Sequence, residues 1–404
     1  MTSVIVIIYY TSYEVKMFRT NDVAVLDIGS EKITVFYGCK SVNETFNVKA
    51  SVAVPYAGFA DGEWLDEESL PAVFQKAVDD IQNVAGVRIR KFFIGVPGEF
   101  TTSVAKEVSI VLDRRRRIVD KDIDEFFDKG NTYKEHKRYA TINCASIYYM
   151  LDDNRRLIEP RGLLADKLRG LVSYILCERK FLKTVNSIMK SIGVSEVEFI
   201  SAQWAEAMYL IDADYRDKSA LLVDVGYITT SVMLVRGDGL LYMSSFSCGG
   251  AHVTGDITLG LDIPYSHAEQ LKSKLDLNRE VTFEDRYIVT HKDKQYRYLA
   301  VEVNEIAKAR LTFLGQAINK CLSRCEYDCP SHLPIYITGG GLYGMRGARE
   351  ILSKITGRSI EFIEPSDPNF AKPYFSSTLG VMEIATRHAG QDEGFWKKLF
   401  KNRG

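Results

Sequence analysis

The sequence predicts an α/β protein built from two similar halves, each presenting a turn suited to a phosphate. Two observations carry this. A strand ending in Asp-x-Gly occurs in each half, at Asp27-Ile28-Gly29 and at Asp224-Val225-Gly226, and a third strand ends in three consecutive glycines, Gly339-Gly340-Gly341. At 404 residues the chain has room for two or more domains of ~100–200 residues each.

The first element is the apolar run Val23-Ala24-Val25-Leu26, which enters the turn at Asp27 and leaves as Ile33-Thr34-Val35-Phe36-Tyr37-Gly38. This pattern reads as a β-hairpin. Gly29 lets backbone N–H groups, with Ser30 beside them, come close to a phosphate. Asp27 at the strand end suits a hydrated magnesium ion, and Lys32 neutralises phosphate charge. The second element repeats the device: Ala220-Leu221-Leu222-Val223 leads into Asp224 and Gly226, then Thr229-Thr230, then Val232-Met233-Leu234-Val235. A repeated strand-turn-strand unit implies a duplicated architecture whose two hairpins face each other across a cleft. Asp27 and Asp224 then serve one magnesium–phosphate group through water. The third element, Pro334 to Leu342, is a strand running into glycines ahead of a helix through Arg346 to Ile355. Only glycine lets a backbone lie flat against a base and ribose and aim its N–H groups at an α-phosphate.

The order and spacing of these motifs resemble the phosphate-1, phosphate-2 and adenosine motifs of the actin, sugar-kinase and heat-shock chaperone superfamily. Within it, the sequence is most similar to the bacterial cell-division family FtsA, from about Asp22 onward. The runs Asp27 to Ile33, Gly58-Phe59-Ala60-Asp61-Gly62 and Pro373 to Gly380 carry that similarity. The resemblance implies an actin-like ATPase fold: two duplicated ribonuclease-H-like domains around a nucleotide cleft, an α+β insertion and a C-terminal amphipathic helix. The expected first core domain covers 21–88 and 174–212, the insertion 89–173, the second core domain 213–260 and 331–388, and a further subdomain 261–330. The resemblance further implies ATP or ADP with Mg as ligand, self-assembly into filaments, and docking of the FtsZ C-terminal peptide on 261–330. That region is rich in cations: Lys272, Lys274, Arg279, Arg286, Lys292, Lys294 and Arg297. Other division proteins are expected to contact the insertion.

Three positions depart from the family pattern. The second loop of the family reads Asp-x-Gly-Gly-Gly-Thr, whereas here Tyr227 and Ile228 follow Gly226; bulky side chains disfavour the positive φ that a phosphate loop uses. Arg310 matches a ribose-side arginine, but Lys308 stands where the family has a glutamate. Gln203 and Glu206 are the candidates for orienting a hydrolytic water, which phosphoryl transfer requires, and they lie near the family's position without matching it. Nucleotide binding with weak turnover is therefore expected.

The remaining features bound the partners and location. With 52 basic against 53 acidic residues the chain has no global attraction to nucleic acid, and none is expected as a partner. Seven cysteines, an odd number in a chain of this size, fit a reducing cytoplasm better than a disulfide framework. Cys321, Cys325 and Cys329 are spaced to line one stripe of a helix, and the run Arg114 to Arg117 reads as a solvated loop. The apolar run Val4 to Tyr10 lacks a basic leader and is too short to span a bilayer; residues 1 to about 20 read equally as an extra edge strand, a disordered extension or a wrongly assigned start with Met17 as the true one. After the fold ends near His388, a polar link leads to Phe395, Trp396, Leu399 and Phe400 on one helical face, with Lys397, Lys398, Lys401 and Arg403 around the rest. Such a segment binds an anionic membrane surface weakly, at about 1 kcal/mol per anchoring residue, and becomes a firm anchor when a filament joins many copies. The expected place of action is the cytoplasmic side of the membrane at the division site. A pilus-assembly type of actin-like adaptor is the alternative, with a small-molecule kinase or chaperone of the superfamily behind it.

Overall fold

The structure is a computed structural model that describes residues 22–41 and 45–389. The N-terminal apolar run and the segment from Phe395 to Arg403 lie outside the described residues. The chain divides into two units: the first holds the residues up to Ser219, Val235–Met243 and those from Ser376 on, and the second holds Ala220–Leu234 and Ser244–Phe375.

The first unit opens with β1 (Asp22–Ile28), β2 (Lys32–Lys40), β3 (Phe46–Pro55), the short pair β4 (Phe59–Ala60) and β5 (Glu63–Trp64), α1 (Leu70–Ala85) and β6 (Lys91–Val96). There follow β7 (Thr101–Arg117), α2 (Asp120–Gly130), β8 (Tyr139–Met150), β9 (Arg156–Leu157), β10 (Leu164–Glu178), α3 (Arg179–Ser191), β11 (Glu196–Ser201), α4 (Ala202–Leu210) and α5 (Ala213–Arg216). Its main sheet has the order β11-β6-β1-β2-β3. β1 is central and buried from Val23 to Ile28, as a continuous apolar run predicts. It runs antiparallel to β2 and parallel to β6, with Asp27 level with Gly95. α1 carries Pro71 in its first turn and stops at Gly86, whose φ of 65° supplies the left-handed cap that glycine adopts without strain. α3 buries Phe181, Leu182, Val185, Ile188 and Met189, a stripe at helical spacing.

A separate four-stranded sheet, β7-β10-β8-β9, is covered by α2, whose Ile123, Phe126 and Phe127 join a core with Leu168, Val172 and Tyr174. The basic run at Arg114 to Arg117 is not a loop: it is the end of β7. Arg116 forks onto Asp122 at 2.6 and 2.7 Å, and Asp122 also accepts from Val119 N at 2.9 Å. These partners let the strand carry four adjacent cations.

The second unit contains β12 (Ala220–Val225), most of β13 (Thr230–Arg236), the end of β14 (Gly239–Phe246), α6 (Gly250–Leu261), α7 (Tyr265–Lys272), the hairpin β15 (Arg286–His291) and β16 (Lys294–Leu299), α8 (Ala300–Leu322), β17 (Ile335–Thr338), α9 (Ala348–Thr356) and β18 (Ile360–Phe362). The sheet order is β14-β13-β12-β17-β18, with β12, β17 and β18 parallel. The last helix, α10 (Ser376–Ala389), returns to the first unit. The three cysteines do not form one helical stripe. α8 stops at Leu322, so Cys321 is buried at the helix end while Cys325 and Cys329 lie in the following loop. Arg358 fastens that loop by donating to the carbonyls of Cys329 and Pro330 at 2.8 and 2.5 Å. All seven cysteines are free thiols, and no group of three metal-ligating side chains occurs among the described residues.

Candidate functional site

Each unit carries one half of the predicted constellation. In the first, the chain reverses between β1 and β2 by a bond from Gly29 N to Lys32 O of 3.0 Å, and a side chain at Gly29 would press on that carbonyl at 3.0 Å. Tyr56 fastens the turn from behind, its hydroxyl donating to Gly29 O at 2.8 Å and its N–H to Glu31 O at 3.1 Å. The predicted residues Asp27, Gly29, Ser30 and Lys32 are thus brought together by one tight turn.

Asp27 is 5 % exposed. Its Oδ2 accepts from Ser377 Oγ at 2.6 Å and from Thr378 Oγ1 at 2.8 Å, both in the first turn of α10, where the helix dipole favours an anion. Its Oδ1 lies where a Cβ on Gly95 would come within 2.4 Å, so only glycine fits beside it. Burial raises the Asp27 pKa above its ordinary 3.8, outweighing the two hydroxyls that lower it. Burial, with the Asp27 charge second, also pushes the Tyr56 phenol well above its usual range.

A stability prediction follows from the sign of that shift. A carboxyl with a raised folded pKa binds its proton more tightly in the native state. Its favourable contribution is complete below pH 3.8 and is lost as pH rises through the folded value. Ionised Asp27 therefore burdens the fold at neutral pH. Asp27→Asn, which keeps an oxygen for Ser377 and Thr378, is expected to melt at higher temperature than the parent at pH 7.5, with the gap closing toward pH 4 in paired melting curves.

Gln203 and Glu206 lie on α4, which starts at the Ser201 cap with Ser201 Oγ accepting from Trp204 N at 3.3 Å. Glu206 is 1 % exposed and sits in the α4–α10 contact, where a Cβ on Gly380 would meet Glu206 N at 2.6 Å. Gln203, one turn nearer the helix start, is buried, and its Oε1 has no hydrogen-bond partner among the described residues.

In the second unit, three glycine segments cross. Gly226 N donates to Thr229 O at 2.8 Å, Gly226 O accepts from Gly250 N at 3.0 Å, Tyr227 O accepts from Ala251 N at 2.7 Å, and Val225 O accepts from Gly341 N at 2.7 Å. Side chains cannot enter: a Cβ at Gly339 would lie 2.2 Å from Asp224 Oδ1, one at Gly341 2.4 Å from Gly226 O, and one at Gly250 2.5 Å from Gly341 O. Asp224 is level with Thr338 on β17, so the strand-end aspartate and the glycine run are adjacent. Thr230 Oγ1 donates to Cys248 O at 2.5 Å, which ties the end of the turn to the approach to α6.

The turn itself differs from a phosphate loop. Among the described residues with positive φ, none falls between Gly226 and Thr230, as Tyr227 and Ile228 lead one to expect. Its carbonyls occupy the first amides of α6, which would otherwise suit an anion, and Tyr227 Oη lies 2.7 Å from Tyr265 Oη. Arg310 is placed on α8 facing α6, its fork filled by Asp256 at 2.6 and 2.8 Å; that pair holds its pKa above the ordinary arginine value. The sequence reading missed Gly249-Gly250, Gly95, Tyr56 and the pairing of Asp27 with Ser377 and Thr378. The Gly-Gly pair after a strand was the available signal for the first of these.

The family model "Cell division protein FtsA" matches residues 221–380, a stretch that contains the second turn, α6 and the glycine run. The FtsA of Pseudomonas aeruginosa is 24% identical over 334 residues, which is 82% of this chain and 80% of that protein. The chain is related to FtsA. The FtsA of Bacillus subtilis is 20% identical over 381 residues, covering 92% of this chain and 85% of that one. FtsA relatives thus match most of the chain. Among solved structures, a PilM-PilN type IV pilus biogenesis complex superposes with a TM-score of 0.61 at 16% identity, over 90% of this chain and 98% of that one. MreB5 of Spiroplasma citri bound to AMPPNP gives 0.52 at 13% identity, over 95% and 99%. The fold is therefore the actin-like ATPase fold.

Proposed function

We propose that this chain is an actin-like cell-division protein that binds ATP or ADP, assembles into filaments on the cytoplasmic face of the membrane and tethers FtsZ there. The observation that carries the reading is the conjunction of FtsA similarity over most of the chain with two strand-end aspartates and a glycine cradle. The residues fit a nucleotide in part. Gly29, Ser30 and Lys32 suit phosphates, and Gly339, Gly340 and Gly341 offer a surface free of side chains. Asp27 and Asp224 would hold a magnesium ion through water, whose charge would offset that of the phosphates. Thr229 and Thr230 remain beside the second turn, whereas Tyr227 and Ile228 withdraw the amides that a γ-phosphate uses. Binding without efficient hydrolysis matches this arrangement, with nucleotide acting to favour one conformation.

No helix among the described residues is long and apolar enough to cross a membrane, so membrane contact in this reading rests on Phe395 to Lys401. Co-sedimentation with anionic vesicles in MgATP tests it. The intact chain is expected to pellet and a chain ending at Glu393 to stay in the supernatant. If both stay soluble, the tether fails and the partner-recruited adaptor becomes the better account.

For FtsZ, the β15–β16 hairpin offers the surface. Pairing of Ile288 with Arg297 and of Arg286 with Leu299 puts these four on one face, where Arg286, Ile288 and Arg297 are exposed. Lys274 and Arg279 are engaged with Ile288 O and Asp285, and Arg286 donates to the carbonyls of Phe283 and Asp285; Arg286 and Arg297 both stay exposed beside Ile288, a combination that suits an acidic-apolar peptide. Arg286→Glu with Arg297→Glu is expected to weaken binding of an FtsZ C-terminal peptide about tenfold, roughly 1.4 kcal/mol, in a fluorescence anisotropy titration. Unchanged affinity would move the peptide elsewhere.

A further inference from the structure

The second turn and the start of α6 press directly on each other. A Cβ at Gly249 would lie 2.5 Å from Gly226 O and 2.6 Å from Tyr227 O, so a methyl group has no room there, and a phosphate, which is larger, has less. The first amides of α6 are turned onto the protein itself. Gly250 N donates to Gly226 O at 3.0 Å, Ala251 N to Tyr227 O at 2.7 Å and His252 N to Gly249 O at 3.1 Å, while Gly249 N donates to His252 Nδ1 at 3.0 Å. A helix start ordinarily offers such groups to an anion. Here protein acceptors fill them.

Side chains around the turn are engaged in the same way. Thr230 Oγ1 donates to Cys248 O at 2.5 Å, and the hydroxyls of Tyr227 and Tyr265 are 2.7 Å apart. Lys272, whose Nζ lies 3.4 Å from Gly250 O, is paired with Glu269 at 2.8 Å, and Glu269 also accepts from Thr254 Oγ1 at 2.6 Å. The helix start is thus ringed by carbonyl oxygens and a cation already neutralised. No residue from Gly226 to Thr230 has a positive φ, so the turn stays flat on α6 instead of opening its amides to a ligand. The glycine run keeps its character by contrast: Gly339 and Gly341 leave no space for side chains, and bare backbone is what a base and ribose require.

We propose that this site is built for a nucleoside diphosphate, binding ADP at least as tightly as ATP. The third phosphate sheds hydration without gaining donors from the second turn or from α6, and charge-assisted hydrogen bonds are what repay that loss. This preference rests on the nucleotide reading given above and assigns its specificity to Tyr227 and Ile228. Occupancy by either nucleotide, rather than hydrolysis, then sets the conformation.

Calorimetric titration of the full-length chain with ADP and with ATP, in excess magnesium, compares the two dissociation constants. The constant for ADP is expected at or below that for ATP; tighter binding of ATP than of ADP overturns the proposal. Tyr227→Gly with Ile228→Gly is expected to lower the ATP constant about tenfold and to leave the ADP constant within about twofold of its parental value. Equal tightening of both nucleotides would assign the second turn to a phosphate that ADP already carries, and overturns the proposal as well. If melting curves show that the double variant does not fold, the ratio in the parent decides alone. A parent that gives heat with neither nucleotide at millimolar concentration rejects the nucleotide reading and this preference with it, a result distinct from a preference for ATP.

Discussion

Gly341→Ala is expected to lower stability by about 3 kcal/mol, a fall on the order of 10 °C in the melting temperature of the second unit, and to abolish nucleotide binding. The reason is the nature of the neighbours. A methyl at this position would lie 2.4 Å from Gly226 O, 2.8 Å from Val225 O and 2.9 Å from Gly250 N, all backbone atoms of segments held by one another. A flexible side chain can swing away from such a clash, whereas a backbone crossing has to separate. Separation also breaks the 2.7 Å bond from Gly341 N to Val225 O and shifts the turn that carries Asp224. Differential scanning calorimetry with a fluorescent adenine nucleotide titration reads both effects. A chain with parental stability and affinity would show that the three segments do not lock each other.

The second large effect runs the other way. Replacing Tyr227 and Ile228 by glycine is expected to tighten ATP binding about tenfold, roughly 1.4 kcal/mol. Glycine reaches positive φ, so amides of the turn can rotate toward a phosphate, and each charge-assisted hydrogen bond of this kind is worth about 1.5–3 kcal/mol. Two such bonds exceed the cost of about 1 kcal/mol of backbone freedom per added glycine. The lost contact between Tyr227 and Tyr265 is exposed and contributes little. Competition between ATP and a fluorescent analogue measures the change. Equal or weaker affinity would mean that the second turn never touches phosphate.

What could be read from sequence was what lies close together in it. The Asp27 and Asp224 turns and the Gly339 to Gly341 run each announce themselves because strand, acid and glycine are contiguous, and their repetition gave the duplicated α/β fold. The holding of Asp27 by Ser377 and Thr378 joins residues 350 and 351 positions apart, and no local pattern encodes it. Arg310 was expected on the ribose side of the site; its pairing with Asp256 depends on how α8 crosses α6. The cysteine stripe misled because fourfold spacing continues past Leu322 while the helix stops there, its loop fastened instead by Arg358. The basic run at Arg114 to Arg117 misled for a related reason, since its counter-charge, Asp122, arrives from the following helix.

The most direct test of the account is calorimetric titration of the full-length chain with ADP and ATP, with and without magnesium, beside Asp27→Asn. The account expects binding that strengthens with magnesium in the parent and weakens at least about tenfold in Asp27→Asn, roughly 1.4 kcal/mol, although that chain is the more stable of the two. Heat from neither nucleotide at millimolar concentration, or equal binding by both chains, would contradict it.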